Sequence, residues 1–155
     1  MIDSERDLFV HELQNLYALE RDLEEFQAEL ADDATDEDLE SFFMAHSQAT
    51  AEQLERLEEI FAGVDAEPDP RTVETFDGIR ADREATMEDV TDPNLADLVD
   101  GETARAIERL EVTKLETLLT LSDRMDLDSA VVDRLERSRT EAENGLERLQ
   151  ERMTW

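Results

Sequence analysis

Residues 8–30 read LFVHELQNLYALERDLEEFQAEL, and this stretch decides the fold. Within it Phe9, Leu13, Leu16, Glu20, Leu23, Gln27 and Leu30 follow one another in alternating steps of four and three residues. That spacing holds them all on one face of a long helix. Such a face is built to be buried, yet Glu20 stands in its middle. A carboxylate inside a core is costly unless it is paired or bound to a metal. The stretch therefore predicts a helix bundle with a polar layer inside it.

The same pattern continues along the chain. The first helix is predicted from about Ser4 to Ala31, with Ser4 as N-cap. Asp32 to Thr35 form a short connection, and Thr35 followed by Asp38 resembles a capping start. The second helix covers about Asp36 to Ala62. Its apolar face carries Leu39, Phe42, Phe43, Leu54, Leu57, Ile60 and Phe61, with His46, Ala49, Thr50 and Gln53 in the middle. Gly63 ends it, and Pro68 and Pro70 forbid its continuation.

A weaker helical stretch is predicted over Arg71 to Val90, and Pro93 opens a long helix from about Asn94 to Met125. That helix has a seam of Ile107, Glu111, Lys114, Leu118 and Leu121. After a break around Asp126 to Asp128, the last helix reaches about Met153 on a seam of Val131, Leu135, Ser138, Ala142, Gly145 and Leu149. No β-alternation of useful length occurs. Short first-to-second and third-to-fourth connections make two antiparallel hairpins, and the long crossover between them describes a ferritin-like four-helix bundle in a single domain, residues 1–155. A simple up-down-up-down bundle is the competing topology.

Composition narrows the function. Asp and Glu total 44 against 15 Lys and Arg, a formal net charge of -29, and Lys114 is the only lysine. A hydrophobic fraction of 39% with sustained periodicity argues against disorder. An acidic, lysine-poor surface suits a salt-rich cytosol, where repulsion between carboxylates is screened. A halophile's protein, soluble and cytoplasmic, is the expectation. No basic stripe exists to bind nucleic acid or an anionic membrane. There is no cysteine, no run of about 18 apolar residues, and no basic-then-apolar leader at the N-terminus.

Leu8 to Glu20 resembles the opening of the YciF/YciE-type ferritin-like family, a stress-associated group. That family reads leucine-phenylalanine, then glutamate-leucine, then aspartate-leucine-tyrosine and an alanine-glutamate pair. His46 to Phe61 is similar to its second helix, with Thr50, Gln53, Arg56, Leu57, Glu58 and Phe61 matching. Ile107, Glu108 and Glu111 resemble its third. The resemblance implies a ferritin-like, dimer-forming fold and an inward metal site of iron or manganese, with Glu20, His46, Glu108 and Glu111 as its ligands here.

This chain departs from that pattern. Ferritin-like two-metal sites take a Glu-x-x-His from each of two helices, and no Glu-x-x-His occurs. Ala49 replaces a glutamate after His46, Arg109 and Leu110 replace a histidine-tyrosine pair, and Ser138, Arg139 and Ala142 occupy the acidic stretch of the last helix. Cations have arrived as ligands left. The expectation is a buried ion-pair layer of Glu20, Glu111, Lys114 and Arg139 in place of the metals, with no cofactor bound.

Weaker features have plainer readings. Glu108 is expected either in solvent or at a helix-helix boundary, His11 at the periphery, and Tyr17 packed in the core. Asp32-Asp33 and Asp36-Glu37-Asp38 read as solvated charges, without the spacing of a calcium loop. Two functions compete: a non-catalytic bundle with a stress-associated or scaffold role, and a di-iron or di-manganese oxidase or peroxide-handling protein. A third, an acidic module mimicking nucleic-acid charge, rests on net charge alone. A homodimer or higher homo-oligomer is expected through the first two helices, because Phe42, Phe43, Met44 and Phe61 exceed what one seam can bury.

Overall fold

The computed structural model describes residues 1–153. Its elements are α1 (Glu5–Asp33), α2 (Glu37–Gly63), α3 (Glu74–Met87), α4 (Pro93–Arg124) and α5 (Ser129–Arg152). Among the described residues there is no strand. Short polar side chains cap three of the starts by accepting a free backbone N–H. Ser4 Oγ accepts from Asp7, Asp36 from Leu39, and Asp92 from Asn94. The cap of α2 is thus Asp36, one residue after the expected Thr35. The N–H of Thr35 instead donates to Asp97 of α4 (2.9 Å), which ties the first loop to the third long helix.

Left-handed residues stop α2 and α4. Asp65 (φ 55°) and Asp126 (φ 53°) let the next N–H fold back, Ala66 onto the Phe61 carbonyl and Leu127 onto that of Ser122. Gly63 does not play that part. It stays helical, and a Cβ on it would lie 3.1 Å from Val131 Cγ2, so it serves the close approach of α5.

Cross-helix contacts set the topology. Arg124 reaches Glu5, and Asp97 holds Thr35, so α1 and α4 are antiparallel neighbours. Arg134 meets Glu59 and Arg152 meets Asp38, so α2 and α5 are too. With α1 packed on α2 and α4 on α5, α2 and α4 lie across the diagonal. An up-down-up-down bundle would make those two neighbours, so the architecture is ferritin-like. The crossover carries α3 along the outside, where Phe76 enters edge-on against Phe26.

The core fills from the α1 seam outward. Phe9, Leu13, Leu16, Leu19 and Leu23 are buried, as are Phe43, Leu57, Leu115, Leu118 and Leu135 from the other helices. Each such side chain contributes roughly 1.5–3 kcal/mol. Phe42, Phe43 and Phe61 are buried within this one chain as well, and only Met44, 55% exposed, remains of the patch expected to drive a dimer. Phe42 and Phe43 flank the α2 seam closely enough to turn inward together. Among the described residues no helix is long and apolar enough to cross a membrane.

Candidate functional site

Glu20 of α1, His46 of α2, and Glu108 and Glu111 of α4 meet inside the bundle. Glu20, Glu108 and Glu111 are buried, so of the two places expected for Glu108 the helix-helix boundary holds and the solvated one does not. Glu108 accepts from Nε2 of His46, and the imidazole also stacks on Phe42 at 5.2 Å. Gly145 of α5 makes room for this pair: a Cβ there would fall 2.7 Å from His46 Cε1.

Glu20 and Glu111 face each other. Apart from each other they have little to bond to: no other side chain or backbone group donates to either oxygen of Glu20 or to Oε1 of Glu111. Burial, with the charge of Glu108, lifts the Glu20 pKa to about 7 against the hydrogen bond from Glu111 and the charge of His46. Burial and the two neighbouring acids push Glu111 well above the usual carboxylate range. Burial alone would lower His46, but its hydrogen bond to Glu108 and the charges of Glu108 and Glu20 hold its pKa above the ordinary value. A proton on His46 would balance the Glu108 carboxylate, and a proton held by Glu20 or Glu111 would relieve the repulsion between those two acids.

The expected cation layer does not form. Lys114 donates to Glu12 of α1 (3.2 Å), and Arg139 lies along its own helix toward Glu143 (3.7 Å). The reason is register: Leu115, not Lys114, follows Glu111 on the buried face of α4, and Arg139 lies beside the buried Ser138. The cation that enters the bundle is Arg56. It is buried, donates to Ser138 Oγ (3.0 Å), and grips Glu141 with two bonds of 3.0 and 3.1 Å. Its place on the α2 seam, one turn after Gln53, was the available signal. Two other polar seam residues pair with each other, the Thr50 hydroxyl donating to Gln27 Oε1 (2.8 Å).

A profile described as "Domain of unknown function (DUF892)" matches residues 4–154. The chain belongs to the DUF892 family. Among solved structures it is similar to YcfI of Rhodopseudomonas palustris (TM-score 0.91, 23% identity, 96% of this chain and 94% of that one). It is equally similar to the Escherichia coli stress protein YciF (TM-score 0.91, 22% identity, 98% and 96%). A Xanthomonas campestris protein matches less closely (TM-score 0.78, 19% identity, 97% and 91%). No curated protein sequence matches significantly. At these identities the structures speak for the fold.

Within this DUF892 chain the inner residues do not fit a two-metal centre. Such centres in ferritin-like bundles draw ligands from all four helices. Here α5 turns Ser138, Ala142 and Gly145 inward, and the nearest acid of that helix, Glu141, is held by Arg56. Among the described residues no three His, Asp or Glu side chains are gathered to hold a metal ion. A cavity of about 140 Å³ lies beside the acid layer instead, lined in part by Ala49 and Ala142.

Other residues take structural parts. Tyr17 donates to Glu58 (2.8 Å) and sets its ring edge-on to Phe61. His11 is not merely peripheral: Arg71 of the crossover bonds to its ring, to Asn15 and to Gln14. Arg71 is thus a clamp rather than the first residue of α3.

Proposed function

We propose that this protein is a non-catalytic ferritin-like bundle of the YciF type, with a stress-associated or scaffold role, whose two-metal site has been lost. One observation carries the reading. The family resemblance asks for a glutamate where Ala49 stands and for inward acids in the stretch held by Ser138, Arg139 and Ala142, and Ala49 and Ala142 both line an open cavity. Without those side chains an iron or manganese pair has no ligand from α5. The remaining acids are compensated by His46 and by a proton. The resemblance to a stress protein supports the biological half of the proposal.

Elemental analysis of protein purified without chelator tests it. The expected result is no stoichiometric iron or manganese and a melting curve unmoved by chelator. About two metals per chain would overturn the proposal in favour of a di-metal oxidoreductase. A gain-of-function variant sharpens the test. Returning both carboxylates (Ala49→Glu with Ala142→Glu) should create metal binding that the natural protein lacks. A homodimer through α1 and α2 belongs to the same proposal and would rest on Met44 and polar contacts. A monomer mass by sedimentation equilibrium ends that part alone.

A further inference from the structure

The cavity beside the acid layer holds unmet hydrogen-bonding groups of opposite kinds. Glu108 Oε2 and Glu111 Oε1 are acceptors without donors, and Gln53 Nε2 is a donor without an acceptor. All three residues line the cavity, and all three are more than nine-tenths buried. Orphaned buried groups of this kind are rare in folded proteins and need a partner.

Arg148 lines the same cavity. It makes no ion pair among the described residues and rests over the Phe42 ring, 5.8 Å from the centroid. A bare anion entering here would meet Glu52, Glu108, Glu111 and Glu141, and a bare cation would meet His46 and Arg148. A molecule carrying both charges avoids both penalties.

From this arrangement we propose that the cavity binds a small zwitterion, an α-amino acid of glycine or alanine size. Its ammonium group donates to Glu108 and Glu111, and its carboxylate accepts from Arg148 and Gln53. The volume of about 140 Å³ is below the roughly 300–1,000 Å³ of drug-sized sites, so the ligand has few heavy atoms. Ala49 and Ala142 supply the room. The inference rests on the metal-free reading of the site.

Calorimetric titration of glycine into metal-assayed protein tests it, with ethylammonium and acetate as half-ligands. Glycine should bind saturably at one per chain, and each half-ligand about tenfold more weakly or worse, since each loses its charge-assisted bonds. Arg148→Gln, at an exposed position, should weaken glycine binding about tenfold and leave the melting curve in place. Ala142→Leu should fill the cavity and abolish binding with the helix content retained. No saturable glycine binding, equal binding of a half-ligand, or undiminished binding by Arg148→Gln would each overturn the inference. Metal content is read from the same sample. Bound iron or manganese defeats the proposed function, whereas absent glycine binding in metal-free protein defeats this inference alone.

Discussion

Glu20 gains its raised pKa chiefly from burial, and that fixes how it responds to pH. A carboxyl raised from 4.5 to about 7 holds its proton more tightly folded than unfolded. Its contribution to stability is full below the unfolded value and is lost as pH rises through the folded one. His46, also raised, acts in the same sense. The melting temperature should therefore fall between about pH 5 and 8. Glu20→Gln, which stays neutral, should flatten that slope and stabilise the protein at pH 8 by about 2 kcal/mol. An unchanged slope in the variant would show that other groups set it. The cations offer a contrasting pair. Lys114→Met removes a bridge to Glu12 at the bundle's edge and should cost under about 1 kcal/mol. Arg56→Met removes the donor to buried Ser138 and the two bonds to Glu141, which keeps Arg137, and should cost about 2 kcal/mol, read from urea unfolding. Equal costs would contradict this division. Glu20, His46 and Glu111 were legible as site residues because a polar residue on an apolar seam is conspicuous. Glu108, which steps off that seam by one position, was singled out only through the family resemblance. Arg56 was hidden because a long side chain on a mixed face reads as a surface charge until its partner on α5 is known.

Helix ends and seams were legible to different degrees for physical reasons. The α5 seam is buried at every expected position, Val131 through Leu149. On α4 the alternating steps led to Lys114, whereas the buried face passes through Leu115. From Glu111 a step of three or of four stays near the same face; the four-residue step to Leu115 is the buried one, and the seam is met again at Leu118 and Leu121. The third helix was overextended. Its predicted span of Arg71 to Val90 shrinks to Glu74–Met87 because Arg71 is spent on His11, Asn15 and Gln14. That helix buries only Phe76. Arg83 pins it, bonding to Asp33 and to Asp100 at 2.6 Å each and lying over the Phe26 ring. So few anchors should make α3 the first element to open. In native-state hydrogen exchange its amides should lose protection before those of α1, α2, α4 and α5. Arg83→Met should speed α3 exchange further while the bundle interior keeps its protection. Uniform loss of protection across all five helices would refute independent opening.

Charge acts on the molecule as a body. A formal net charge of -29 leaves most surface carboxylates without a basic partner, and their mutual repulsion opposes the compact state. Screening weakens this repulsion, as the Debye length drops from about 10 Å at 0.1 M salt to about 3 Å at 1 M. Salt also weakens the surface bridges, such as Arg124 to Glu5 and Arg134 to Glu59. Each of those is worth about 0–1 kcal/mol, and they are far fewer than the unpaired acids. Relief of repulsion should win. Raising KCl from 0.1 to 1 M should then increase the melting temperature by about 5 °C or more, at about 2–4 °C per kcal/mol for a domain of this size. This is the behaviour proposed for a protein of salt-rich cytosol. A flat or falling curve would remove the support for that habitat. The inner acids supply the control: Glu20 is fully buried, so salt reaches it poorly, and Glu20→Gln should respond to KCl as the natural protein does. If the variant lost the response, the repulsion being screened would be that of the inner layer and not that of the surface.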